Sequence, residues 1–167
     1  KRIIVSFQGG FHGRTYGAQL AGGVLGGAEW VDVNPHFVQV PFPSSIDTAD
    51  DSFAGFERVL AEKGIAPNLV AGVMAETFQG REAKLLPLDY ARSLSQWCAD
   101  HDAALIYDEV QAGFGRCGDS MAWRMIAPEI EPDGISWAKG MGGGVPIGAF
   151  WLSDRAIDDA GTALSSL

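Results

Sequence analysis

Short apolar runs alternate with segments of helical period along most of this chain. Ile3 to Phe7, Phe37 to Phe42, Leu69 to Ala75, Ala104 to Tyr107, Ile135 to Ala138 and Ile147 to Leu152 are four to seven residues long. Glycine, proline or a charged residue bounds each of them. Runs of that length between turn signals predict buried strands. Between them, Arg14 to Leu20, Phe53 to Lys63, Leu88 to Asp102 and Met121 to Ile126 predict helices. In the second helix Phe53, Phe56, Val59 and Leu60 fall on one face, Asp50 or Ser52 would cap it, and Gly64 ends it. In the third, Tyr90, Leu94 and Trp97 or Cys98 point inward. Gly22 to Gly27 reads as a loose glycine-rich stretch, Asn34-Pro35 as a turn, and Ser153 or Asp154 as the cap of a closing helix.

Strands alternating with helices imply βαβ units, and hence an α/β fold with a mainly parallel sheet flanked by helices. Three predicted strands stop at a charged residue: Glu76, Asp108 and Lys139. These lie 32 and 31 residues apart, the spacing of successive βαβ units. That places all three on one rim, the carboxyl ends of the strands, where open α/β sheets bind ligands.

Composition narrows the field. With 167 residues, 47% of them hydrophobic, the chain can build one domain with a real core. Its net charge of -9 argues against nucleic acid or an anionic membrane as partner. No apolar run approaches the ~18 residues of a membrane span, and no secretory leader is visible at KRIIVSFQGG. Two cysteines, Cys98 and Cys117, make no disulfide framework, so a reducing, cytoplasmic setting is expected. The chain starts at Lys1 almost within a strand and stops at SSL after a helix-like start. Both ends are expected to be cuts in a longer protein.

Lys139 is the sharpest chemical candidate. It is followed by the glycine-rich GMGGG, whose bare backbone lets a bulky ligand approach. A lysine at a buried strand end loses hydration, which favours the neutral amine that Schiff-base chemistry needs. The competing readings are a lysine that snorkels to solvent or pairs with Asp108. Asp108 has Glu109 beside it, and neighbouring strand residues point to opposite faces, so one of the two is expected in the crevice. A carboxylate there either neutralises a cationic ring nitrogen or forms a structural ion pair with Arg116 or Arg124. In Phe11-His12-Gly13-Arg14 the aromatic ring would stack on a planar ligand and Arg14 would clamp a carboxylate, against the plain reading of a core ring and a surface charge. His12, His36 and His101 have no metal-ligand spacing. Gly113 to Gly118 spells G-x-G-x-x-G, with Asp133 downstream. The five residues after the strand, two of them acidic, are wrong for a pyrophosphate turn.

These pieces together resemble the class III pyridoxal-phosphate-dependent aminotransferases of fold type I, the group of ornithine, acetylornithine and 4-aminobutyrate aminotransferases. The resemblance rests on FHGRT at 11 to 15, E-x-x-QG at 76 to 80, DEVQAGFGR at 108 to 116 and AKGMGGGVPIGA at 138 to 149. It implies a partial cofactor-binding large domain over residues 1 to 167, with the small C-terminal domain absent. The cofactor is then pyridoxal 5'-phosphate, an amino donor and a keto acid are the substrates, and the full-length protein is a homodimer.

The resemblance also implies roles. Lys139 forms the Schiff base and moves the substrate proton, and Asp108 pairs with the pyridinium nitrogen. Phe11 and Val110 take opposite faces of the ring, with His12 beside Phe11. Gln111 reaches the phenolic oxygen, Glu76 stands at the rim, and Arg14 holds a substrate carboxylate. Where many ω-amino-acid enzymes carry Glu after E-x-x-QG, this chain has Arg81. Arg81 cannot do that glutamate's job, so the resemblance leaves the choice of substrate open. The phosphate-binding residues fall outside the chain, so the isolated segment is expected to be inactive. An aminomutase, a decarboxylase or a racemase of the same family shares these motifs. A dinucleotide-binding module at Gly113 to Gly118 and a non-catalytic remnant are the readings from other classes.

Overall fold

A computed structural model describes residues 1–23, 31–43 and 52–158. The proposed cap at Asp50 and the stretch from residue 24 to Gly27 lie outside the described residues.

Six strands form one sheet: β1 (Ile3–Phe7), β2 (Phe37–Val40), β3 (Val70–Glu76), β6 (Ala104–Asp108), β7 (Gly134–Trp137) and β8 (Ala149–Leu152). Two further strands, β4 (Phe78–Gln79) and β5 (Lys84–Leu85), make a separate antiparallel hairpin. The spatial order is β2-β1-β3-β6-β7-β8. Every pairing is parallel except β7 with β8. All six predicted strands of the sheet form, with ends shifted by at most two residues. The antiparallel turn-back of β8 and the hairpin were not foreseen. Strands of two residues leave no periodic signal, and the direction of a strand is not written in its own residues.

The order places β1 at a switch point. The chain leaves β1 for β2 on one side, then returns through β3 on the other. The loops that follow β1 and β3 therefore diverge and leave a crevice between them, the place where doubly wound sheets take their ligands.

Helices cover both faces. They are α1 (Tyr16–Ala21), α2 (Phe53–Glu62), α3 (Leu88–Asp100) and α4 (Trp123–Ile126). Ser6 and Phe7 are neighbours in β1 and point opposite ways. Ser6 Oγ donates to the carbonyl of Ala21 at the end of α1, at 2.6 Å. Phe7 instead packs edge-on against Tyr90 of α3, with centroids 6.2 Å apart. On that second face Phe53, Phe56, Tyr90 and Trp97 form a run of aromatic contacts between α2 and α3. Leu94, Val73, Val5 and Val40 are wholly buried beneath them. Apolar burial of this kind stabilises by about 25 cal/mol per Å² removed from water, which is why the helical stripes read from the sequence dock as predicted. Ser153 Oγ accepts from the Ala156 amide at 3.2 Å, so the closing helix starts where the sequence places it.

Candidate active site

Register brings the strand ends together. Glu76 is the lattice partner of Asp108 across β3 and β6, and Asp108 that of Ser136 across β6 and β7. Paired residues of parallel strands share a face. Ser136 Oγ accordingly donates to Asp108 Oδ1 at 3.0 Å, and the Val110 amide donates to the same oxygen at 3.0 Å. Asp108 Oδ2 meets His12 Nδ1 at 2.8 Å. A carboxylate accepts about four hydrogen bonds, so these three leave Oδ2 room for one more donor. The alternative reading, an ion pair with Arg116 or Arg124, does not form: Arg124 lies over the ring of Trp123 at 5.4 Å, and the partners of Asp108 are His12, Ser136 and Val110.

Glu109 turns the other way, as the alternation requires. It is 1% exposed. Its Oε1 accepts from Thr77 Oγ1 at 2.9 Å and from the Trp123 amide at 2.7 Å, and Oε2 accepts from the Ala122 amide at 2.6 Å. One buried carboxylate thus joins the segment after β3, the end of β6 and the start of α4. Burial pushes its pKa up, against the lowering effect of those three donors.

A cavity of about 250 Å³ opens at this rim, lined by Phe11, Glu76, Gly80, Arg81, Val110, Gln111 and Lys139. Phe11 is 42% exposed, so its ring face is available for stacking. The Phe11 amide donates to Glu76 Oε2 at 3.1 Å, which ties the loop after β1 to the end of β3 across the crevice. Burial raises the pKa of Glu76 despite that hydrogen bond. Gly80 allows close packing against Gln111: a Cβ there would sit 2.3 Å from Gln111 Cγ. Lys139 Nζ donates to Gln111 Oε1.

The geometry corrects several expectations. Lys139 is not at a buried strand end. The strand stops at Trp137, and Lys139 opens a short 3-10 turn to Gly142, with an exposed side chain and φ of +43°. Its ammonium meets Gln111, not Asp108. His12 and Asp108 do not line the cavity; they sit behind it, with side chains 1% and 5% exposed. Arg14 does not line the cavity either, and its guanidinium lies 5.8 Å from the centre of the Phe11 ring. Phe11, Glu76, Val110, Gln111 and Lys139 do come together. Ser136 was not singled out in the sequence, because a serine in a strand carries no signal of its partner on the neighbouring strand.

The G-x-G-x-x-G stretch is no phosphate cradle of the dinucleotide kind. Phe114, Gly115 and Gly118 have φ of +54°, +83° and +110°. The Phe114 and Gly115 amides donate back to Ser120 and Asp119. No helix opens at Gly118; α4 begins at Trp123.

Solved transaminases superimpose on this sheet, and the fold is the type I fold they share. A taurine:2-oxoglutarate aminotransferase from Bifidobacterium kashiwanohense, solved with PLP and glutamate, matches with a TM-score of 0.81 and 27% identity over 100% of this chain and 40% of its own. An omega-transaminase from Thermomicrobium roseum matches with a TM-score of 0.83 and 25% identity over 99% of this chain and 38% of its own. Residues 1–162 match the family model for class-III aminotransferases, and the chain belongs to that family. It is 36% identical over 157 residues to an acetylornithine aminotransferase of Mesorhizobium japonicum, covering 92% of this chain and 35% of that protein. It is 36% identical over 155 residues to a 2-aminoadipate transaminase of Pseudomonas putida, covering 89% of this chain and 36% of that protein. The chain therefore spans about a third of the length of these curated relatives.

The family's cofactor is pyridoxal 5'-phosphate, and the residues present fit its ring. Phe11 and Val110 supply apolar walls, Lys139 supplies the amine, and Gln111 supplies an amide at the same cavity. Asp108 Oδ2 retains capacity for a donor such as a protonated ring nitrogen.

Proposed function

We propose that the protein carrying this chain transfers an amino group between an amino acid or ω-amine and a keto acid. The observation that carries the proposal is the meeting of Lys139, Gln111, Phe11 and Val110 around one cavity at the sheet's switch point. When bound, the cofactor supplies an electrophilic carbon and a ring that accepts electrons. Lys139 provides the amine that would hold it and would then carry the proton at the substrate Cα, for which an exposed amine at the cavity is suited. Gln111 holds the ammonium until it is needed. Phe11 and Val110 would hold the ring between them and exclude water from its faces. Asp108, oriented by His12, Ser136 and the Val110 amide, provides the negative charge that keeps a ring nitrogen protonated. At an effective dielectric near 20 such a pair at ~4 Å is worth about 4 kcal/mol before desolvation.

The positive φ of Lys139 supports the same reading. Left-handed backbone at a residue other than glycine costs on the order of 1–3 kcal/mol and gathers at functional sites. Arg14, exposed beside the Phe11 ring, keeps its proposed contact with a substrate carboxylate. A homodimer in the cytoplasm is part of the proposal. Val145, Ile147, Phe150 and Trp151 are exposed at and just before the edge strand β8, as expected of a face that further protein covers. Cys98 and Cys117 are free thiols.

The test is amino transfer by the complete protein loaded with cofactor. Stoichiometric conversion of a keto acid to its amino acid as the amino donor is consumed, with no sustained consumption of the donor when the keto acid is left out, is the expected result. Turnover of the amino substrate without an acceptor would instead assign the decarboxylase, mutase or racemase reading.

A further inference from the structure

The glycine-rich loop at 113–118 is no dinucleotide cradle, yet it is built against the turn that carries Lys139. Its own backbone fixes it. The Gly113 amide donates to the Glu109 carbonyl at 2.8 Å, the Phe114 amide to Ser120 at 2.8 Å and the Gly115 amide to Asp119 at 3.0 Å. Within it Phe114 has φ of +54°. Left-handed backbone is a steric outlier for a bulky side chain, whereas a glycine would take it freely. Such strain persists where the surrounding contacts over-determine it, and it gathers at functional sites.

The contacts of Phe114 flank Lys139 on both sides. Trp137, the last residue of β7, precedes Lys139 by two positions. Its indole stands edge-on to the Phe114 ring, with centroids 6.3 Å apart and planes at 87°. It also lies so close to Gly113 that a Cβ there would come within 3.0 Å of Trp137 Cδ1. Just after Lys139, a Cβ on Gly140 would lie 3.7 Å from Phe114 Cβ and 3.9 Å from the Gly113 carbonyl oxygen. The backbone bonds of the turn close on the turn itself: Met141 donates to Ala138 at 3.0 Å and Gly143 to Gly140 at 3.3 Å. Lys139 has left-handed backbone of its own, with φ of +43°. Its amine reaches the cavity and Gln111, whereas Phe114 does not line the cavity.

We propose that Phe114 is a positioning residue: its ring, set against Trp137 and Gly140, holds the turn that opens at Lys139 and so keeps the lysine amine at the cavity beside Gln111. The inference rests on the reading of Lys139 as the reactive amine and adds what places it. An edge-to-face aromatic pair fixes a geometry as well as burying area, and here the pair joins the loop after β6 to the end of β7. Phe114 is 49% exposed, so an interface with another protein is the competing use of the same ring, and the test separates the two.

The complete protein, free of cofactor, is labelled competitively with acetic anhydride, and peptide mapping gives the rate at Lys139 relative to Lys63, an exposed lysine at the end of α2. Phe114→Gly removes the ring and suits the left-handed backbone, so it is expected to melt close to the wild type. Its Lys139 is expected to label about 2- to 10-fold faster relative to Lys63, the scale of one hydrogen bond lost to Gln111. Phe114→Tyr keeps the ring and is expected to label as the wild type does. An unchanged ratio in Phe114→Gly, or in Phe114→Leu should the glycine variant not fold, overturns the proposal. So does an equal rise at Lys63, which would mean a general loosening of the fold. A change in self-association with the ratio intact also overturns it and assigns the ring to an interface. If borohydride fixes the cofactor on another lysine, the reading of Lys139 fails, and the labelling ratio still decides whether Phe114 places its amine.

Discussion

His12 Nδ1 stands 2.8 Å from Asp108 Oδ2, and the two side chains are 1% and 5% exposed. The carboxylate can only accept, so Nδ1 carries the proton. The other ring nitrogen, Nε2, is buried with no partner among the described residues. His12 therefore faces inward to Asp108 and leaves the cavity to Phe11. Its part is to fix the carboxylate's orientation, with Ser136 and the Val110 amide holding the second oxygen.

From this pair follows the first prediction. Asp108→Asn keeps the shape and can still accept from His12, but removes the charge. Turnover of the complete enzyme is expected to fall on the order of 10²- to 10³-fold, the scale of losing one preorganised electrostatic contact. Cofactor affinity is expected to change far less. Measuring kcat beside the cofactor dissociation constant checks it, and a loss of turnover no larger than the loss of affinity would remove Asp108 from its assigned role.

Glu109 is predicted to matter for stability. Its three donors, Thr77 Oγ1 and the amides of Ala122 and Trp123, lose their acceptor in Glu109→Ala. Leaving a buried donor unpaired costs about 1–3 kcal/mol, so a loss of about 3 kcal/mol or more is expected in the unfolding free energy from denaturant titration. The pH dependence has a definite sign. The folded pKa is raised, so the folded state holds its proton to higher pH than the unfolded chain. Stability contributed by this group is therefore complete below the unfolded carboxyl value and declines as pH rises towards the folded one. Glu109→Gln should lack that decline; a parallel pH profile in the variant would contradict the assignment.

Gly80 leads to a prediction about Lys139. A Cβ at residue 80 would lie 2.3 Å from Gln111 Cγ and 3.1 Å from Gln111 Cβ. Turning the side chain relieves the first contact but not wholly the second, so Gly80→Ala should displace Gln111 and release the Lys139 ammonium. The expected readout is a shifted visible absorption band of the loaded enzyme and a raised KM, without global destabilisation beyond about 1 kcal/mol. An unchanged spectrum would mean that Gln111 does not control the lysine.

The sequence made the strands, the helical stripes and the residues at the rim legible. Ile3 to Phe7 and Ala104 to Tyr107 are short, apolar and sharply bounded, and the spacing of Glu76 and Asp108 anticipates their lattice pairing. The path of the chain between strands was not legible. Whether β2 lies left or right of β1 depends on how helices pack, and that choice creates the crevice. The exposure of Lys139 was missed because the strand ends two residues earlier and Lys139 itself opens a 3-10 turn. The division of labour within DEV became readable only in part: alternation separates Asp108 from Glu109, but only the fold reveals His12 and Ser136 on one side and Thr77 with α4 on the other.

The central claim is that the amine of Lys139 holds the cofactor. Borohydride reduction of the complete, cofactor-loaded protein, followed by peptide mass mapping, tests it most directly. The account predicts a pyridoxyl adduct on Lys139 and none in Lys139→Ala; an adduct on another lysine, or no adduct at all, would contradict it.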